Sequence, residues 1–232
     1  MKRANFLKAL FTSTAVAGTT SLSTLATAGD LAAFSATYKV SADGKTGTAT
    51  RTLTKNANSY QYSVNARAAG ISTLNQEAKF SLNGGQIIPN SAKLSMRILG
   101  VGYTHEIRFN HTNKSVISTY KNNSTTLAMP KQAFDDLSLE AQIRQELLNG
   151  KFTGNYLLVK RSQIENTKFK RTGNTKITVP AGTYDTIRID RIHDDKDRAT
   201  SFWLAPTLNY LPIKVSQTND GKTISMELTK IN

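Results

Sequence analysis

The sequence predicts an all-β fold with one helix: a strongly curved antiparallel sheet, half-barrel or barrel-like, with the helix packed near its opening. Three observations predict it. Side chains alternate apolar and polar along most of residues 34–228. Turn residues break that alternation at intervals of about ten residues. Only the segment 135–150 changes to helical spacing.

The alternation begins with Phe34, Ala36, Tyr38 and Val40 against Ser35, Thr37 and Lys39, and Asp43-Gly44 turns the chain into a strand over 47–54. Tyr60, Tyr62, Val64, Ala66 and Ala68 then alternate with Gln61, Ser63, Asn65 and Arg67. Ala78, Phe80 and Leu82 lead to Asn83-Gly84-Gly85, and Leu94, Met96 and Ile98 lead to Gly100-Val101-Gly102. Strands over 103–110, 115–120 and 125–129 are separated by the spacers 111–114 and 121–124, whose Asn residues tolerate the positive φ of a tight turn.

Asp135 or Asp136 serves as an N-cap for Leu137, Leu139, Ala141, Ile143, Leu147 and Leu148, and Asn149-Gly150 stops a helix of about 13 residues. Glu140 and Arg144 stand four apart in the favourable order. Strands resume over 155–161, 168–172, 176–179, 184–191, 199–204, 211–217 and 223–228, with Asn219-Asp220-Gly221 as the last hairpin turn. About a dozen such strands with one apolar face must close, stack or curl around something apolar.

Residues 1–28 read as a cleaved secretory signal: Lys2, Arg3 and Lys8 precede an uncharged stretch from 9 to 25, and Ala26-Thr27-Ala28 presents small residues to a signal peptidase. Residues 29–232 then form a single β domain without a transmembrane segment. The location this implies is the periplasm, with secretion as the alternative. The chain of 232 residues has no Cys, which excludes a disulfide framework, Cys-ligated zinc, a thiol nucleophile and a lipidated cysteine.

The C-terminal segment carries further motifs. Val179-Pro180-Ala181-Gly182-Thr183-Tyr184-Asp185-Thr186, Ser201-Phe202-Trp203-Leu204-Ala205-Pro206 and Tyr210-Leu211-Pro212-Ile213-Lys214-Val215, with Asp135-Asp136-Leu137-Ser138 before them, resemble the bacterial exported family catalogued as domain of unknown function 3108. The resemblance implies an envelope protein on a curved antiparallel sheet and brings no catalytic residues with it.

The chemistry-bearing residues are sparse. His105, His111 and His193 are the three histidines, and no GxSxG, HExxH or SxxK motif occurs. His105 shares its parity with Tyr103, Ile107 and Phe109, which puts an imidazole on the apolar face. Asp190, Asp194, Asp195 and Asp197 have neither EF-hand nor zinc spacing, so no metal or cofactor is expected. Asp135 and Asp136 are adjacent, which points them about 100° apart on a helix and suits capping better than paired acid–base work on a polysaccharide.

The 30 Lys and Arg outnumber 16 Asp and Glu, for a formal net charge of +14, and Lys160, Arg161, Lys168, Lys170, Arg171 and Lys176 crowd one span. Without interleaved stacking aromatics, that span does not suit nucleic acid. The leading expectation is a non-enzymatic envelope protein that holds a hydrophobic or anionic lipid-like ligand in the concave face. Its candidate ligand-binding residues are Tyr103, His105, Lys168, Lys170, Arg171 and Trp203. The alternative is an assembly or interaction factor with a filled core that docks an envelope protein partner.

Overall fold

The computed structural model describes residues 29–42, 44–68 and 72–232. The signal expectation for 1–28 and Asp43 of the first turn lie outside the described residues.

The described residues form fifteen strands. The first eight are β1 (Phe34–Ala42), β2 (Lys45–Asn56), β3 (Ser59–Ala68), β4 (Ser72–Asn83), β5 (Gln86–Ile98), β6 (Val101–Asn110), β7 (Ser115–Tyr120) and β8 (Asn123–Ala128). The two-residue β9 (Ala133–Phe134) leads into helix α1 (Asp136–Leu148). After it come β10 (Asn155–Val159), β11 (Ile164–Val179), β12 (Gly182–Ile192), β13 (Arg198–Ala205), β14 (Leu211–Asn219) and β15 (Lys222–Ile231).

All belong to one sheet in the order β8-β7-β6-β5-β4-β3-β2-β1-β15-β14-β13-β12-β11-β10-β9. Consecutive antiparallel pairs account for the two halves except at one edge, where β9 pairs parallel to β10 with α1 between them, and the pairing of the first strand with the last joins the halves. The sheet is curled and not closed. Turn chemistry holds the register: Gly84 and Gly85, and Asp220 and Gly221, have positive φ at both central positions of two-residue hairpins, whose twist matches that of the strands.

The alternation sorts side chains to an inner and an outer face. Tyr38, Ala49, Ala66, Leu74, Met96 and Tyr103 lie opposite one another across β1 to β6 on the inner face. Lys39, Thr48, Arg67, Thr73 and Arg97 do the same on the outer face. Burial follows this division, with Tyr38 and Ala49 buried and Lys39, Thr48 and Arg67 exposed.

Helix α1 enters the concavity, and every residue from Leu137 to Leu147 is buried, polar ones included. Its N-terminus is a capping box: the Asp135 carboxylate accepts from the Leu137 and Ser138 amides, and the Ser138 hydroxyl accepts from the Asp135 amide. At its other end Gly150 takes φ +67, while Gly150 N–H reaches Leu147 O and Lys151 N–H reaches Glu146 O, the Schellman pattern. Leu137, Leu139, Ile143 and Leu147 share one cluster with Tyr60, Phe80, Tyr156 and Ile189, so the helix joins both halves of the sheet.

One departure from the expected strands shapes the rest of the interior. The segments expected at 168–172 and 176–179 are one strand, β11, bent at an irregularity between Arg171 and Gly173. The bend carries the Val179–Gly182 tip back to β15, where the Ala181 amide donates to Leu228 O and Val179 packs among Tyr38, Ile213 and Leu228. The free ends of the sheet meet through side chains, as Ile107 and Val116 cluster with Met129, Ala133 and Val159.

Candidate functional site

Arg51 breaks the apolar parity of β2 between Ala49 and Leu53, and the fold explains why. Its Nη2 donates to Glu140 Oε2 on the helix and to the Tyr62 hydroxyl, each at 2.5 Å, while Tyr62 OH donates to Glu140 Oε1 at 2.6 Å. The guanidinium also lies 5.3 Å from the Tyr62 ring centre and 5.8 Å from that of Tyr38.

Burial opposes the charge on Arg51, but the Glu140 carboxylate and the two phenols outweigh it and hold the guanidinium above its ordinary range. Burial likewise pushes the Tyr62 phenol well up and that of Tyr38 to about 12. A second buried cation, Arg144, donates to Asn209 O at 3.2 Å and lies over Phe34, so the expected helical pair with Glu140 gives way to contacts across the interior. This network fastens the helix to the sheet.

A cleft of about 390 Å³ opens beside the C-terminal half of α1, with Gln132, Phe134, Gln142, Glu146, Asn155 and Tyr156 among its walls. Glu146 is already engaged there: Oε2 accepts from the Tyr156 hydroxyl and the Thr153 amide, both at 2.7 Å, and Oε1 from Gln142 Nε2 at 3.0 Å. Burial and then that carboxylate push the Tyr156 phenol up. The remaining polar functions of the walls are carboxamides and the Lys131 ammonium, beside aromatic faces, which suit a polar or anionic ligand, and the volume is at the lower end for ligand pockets.

The sequence-predicted ligand residues do not form one pocket. Tyr103 and His105 are on the inner face of β6, whereas Lys168 and Lys170 of β11 are exposed on the outer face. Trp203 is also on the outer face, between Arg188 and Lys214, whose cationic groups lie 5.1 and 5.7 Å from its ring centre. Arg171 is at the β11 irregularity, bonded to Asn174. Their grouping is therefore corrected: residues of opposite parity cannot line the same concavity.

His105 and Tyr103 belong to the seam. The Ser118 hydroxyl donates to Arg161 O at 2.8 Å and stands 2.9 Å from His105 Nε2, so the imidazole carries its proton on that nitrogen. Burial lowers the His105 pKa, keeping it neutral at pH 7. The Arg161 guanidinium caps the Tyr120 ring at 3.9 Å. Beneath His105, Asp135 and Asp136 line a hollow of about 30 Å³, the size of a water or two. No group of three or more His, Asp or Glu able to hold a metal occurs among the described residues, and none of their helices is long and apolar enough to cross a membrane.

Sequence reasoning missed the polar interior. Arg51 on an apolar parity was a legible signal, as were Glu140, Gln142, Arg144, Gln145 and Glu146 on a helix with too few apolar positions to be merely amphipathic. The profile of the family described as "Protein of unknown function (DUF3108)" matches residues 33–229.

The chain is a DUF3108 protein.

Its fold recurs in the crystal structure of a β-barrel-like protein of domain of unknown function DUF1849 from Brucella abortus. The TM-score is 0.60 at 9% identity, over 88% of this chain and 98% of that one. At that identity the likeness is one of fold. No curated protein matches the DUF3108 chain.

Proposed function

We propose that this DUF3108 protein is an exported, non-enzymatic interaction module that works through its surfaces while its interior is structural. One observation carries the reading: α1, buried around its whole circumference, occupies the concavity and is tied there by Arg51, Glu140 and Tyr62. A lipid-like cargo in the concave face would have to displace that helix and leave Arg51 and Glu140 without each other, a change costing several kcal/mol. The filled interior therefore supports the docking alternative over the cargo reading. Residues 1–28 support export, and the carboxamide-lined cleft and basic exterior are the surfaces on offer.

The test is native mass spectrometry and organic extraction of protein purified from the cell envelope. A mass equal to the processed chain, with no acyl species in the extract, is expected. Stoichiometric lipid in the extract would overturn the filled-core reading.

A further inference from the structure

The register of the sheet assembles a pattern that no stretch of the chain displays. On the outer face Arg188, Trp203, Lys214, Glu227, Lys39, Thr48, Arg67, Thr73 and Arg97 are direct neighbours, one per strand from β12 through β15 and β1 to β5. Cations occupy every second strand of that row, and Glu227 is its one acid, paired with Lys214 at 2.8 Å. Arg188 pairs with Asp190 beside the row. Lys39, Arg67 and Arg97 are exposed and make no salt bridge among the described residues. With strands about 4.8 Å apart, the cations repeat at roughly 10 Å and the row runs about 38 Å around the outside of the curl.

We infer that this row binds a linear acidic polysaccharide lying across the strands, with an acid on alternate sugars meeting successive cations. The repeat is about the length of two sugar rings, set by the strand spacing. A flexible chain follows a convex surface, whereas a flat bilayer touches only part of it. Alongside the row, Thr37, Thr50, Asn65, Asn75 and Ser95 are aligned across β1 to β5, presenting hydroxyl and carboxamide groups to sugar hydroxyls. Single-stranded nucleic acid would need aromatic platforms for successive bases, and the row holds one. Individually weak exposed contacts become useful because several act along one chain, the unpaired Lys39, Arg67 and Arg97 foremost.

The inference deepens the surface-acting reading and rests on it; lipid extraction tests that reading separately, so failure of glycan binding with a lipid-free interior removes this inference alone. The probe is a hyaluronan oligosaccharide long enough to span the row, titrated into the processed protein by calorimetry at low salt. Neutral dextran, single-stranded DNA and anionic phospholipid vesicles are run in parallel. Hyaluronan is expected to bind, to weaken as salt rises, and to lose about tenfold in affinity in the variant Lys39→Gln/Arg67→Gln/Arg97→Gln. A control, Lys114→Gln/Lys151→Gln/Lys196→Gln, removes as many exposed cations elsewhere and is expected to change affinity by less than about twofold. Thermal melts confirm that both variants fold. Absence of hyaluronan binding, equal losses in the two variants, or tighter binding of DNA or vesicles would overturn the inference.

Discussion

The inner and outer faces of the same strands carry charge under opposite conditions. Arg51 on β2 faces inward at 2% exposure and is held by Glu140 and Tyr62, so its charge fixes the position of a helix. Arg67 on the neighbouring β3 faces outward, and with Lys39 and Arg97 it has no carboxylate of the described chain within bonding reach. A buried cation must find its compensation inside the fold, a carboxylate for Arg51 and a carbonyl with an aromatic face for Arg144, because desolvation is otherwise uncompensated. An exposed one stays hydrated and remains available to a partner. Charge inside therefore specifies the fold, and charge outside specifies what the fold meets.

The largest expected effect tests the inner half of that contrast. Glu140→Ala leaves Arg51 buried and unpaired and should cost about 3–5 kcal/mol in denaturant unfolding. The double replacement Arg51→Met with Glu140→Leu should cost less than Glu140→Ala alone, since no orphan charge remains. A double variant as damaged as the two single losses added together would break the comparison.

Next in size is the helix N-cap. Burial, opposed by the bonds from Ser138, pushes the Asp135 carboxyl up from 3.8 to about 6. The folded state therefore binds this proton more tightly than the unfolded one. That contribution is present below pH 3.8 and is lost as pH rises to about 6, a change on the order of 3 kcal/mol. Asp135→Asn keeps an acceptor at the cap and cannot ionise. Wild-type stability relative to the variant should fall across that window in paired urea titrations, and a level difference would show that the carboxyl is not desolvated as the fold implies.

Ser118→Ala removes the hydroxyl joining His105 to Arg161 O across the seam, and should lower stability by about 1–2 kcal/mol. Faster amide exchange in β6 and β7 should accompany it, whereas unchanged exchange would mean that apolar packing alone holds the ends together. The smallest effect sharpens the outer half. Arg67→Ser should leave unfolding within about 0.5 kcal/mol of wild type, and a larger loss would place Arg67 among the structural charges.

Much of the architecture was legible because strand alternation and turn chemistry act over a few residues. Asn83-Gly84-Gly85 and Asn219-Asp220-Gly221 became hairpins, and the Asp135 and Gly150 caps bound a helix of 13 residues. Arg51 between Ala49 and Leu53 was a misfit that the sequence reading passed over, and its partner could not be read there, since Glu140 is 89 residues away. The basic span 160–176 looked strongest in the sequence, yet folding divides it. Lys160 lies near Asp136 and Glu165, Arg161 stacks on Tyr120, and Lys176 reaches towards Asp185.

The sequence by itself determined which segments are extended, which one is helical and where each reverses, because those choices follow from local periodicity and from the φ that single residues tolerate. Only the tertiary structure decided that a helix fills the concavity and that cations distant along the chain share one outer row. Both depend on strand register and curl, which are set by pairing and packing among residues far apart in the chain.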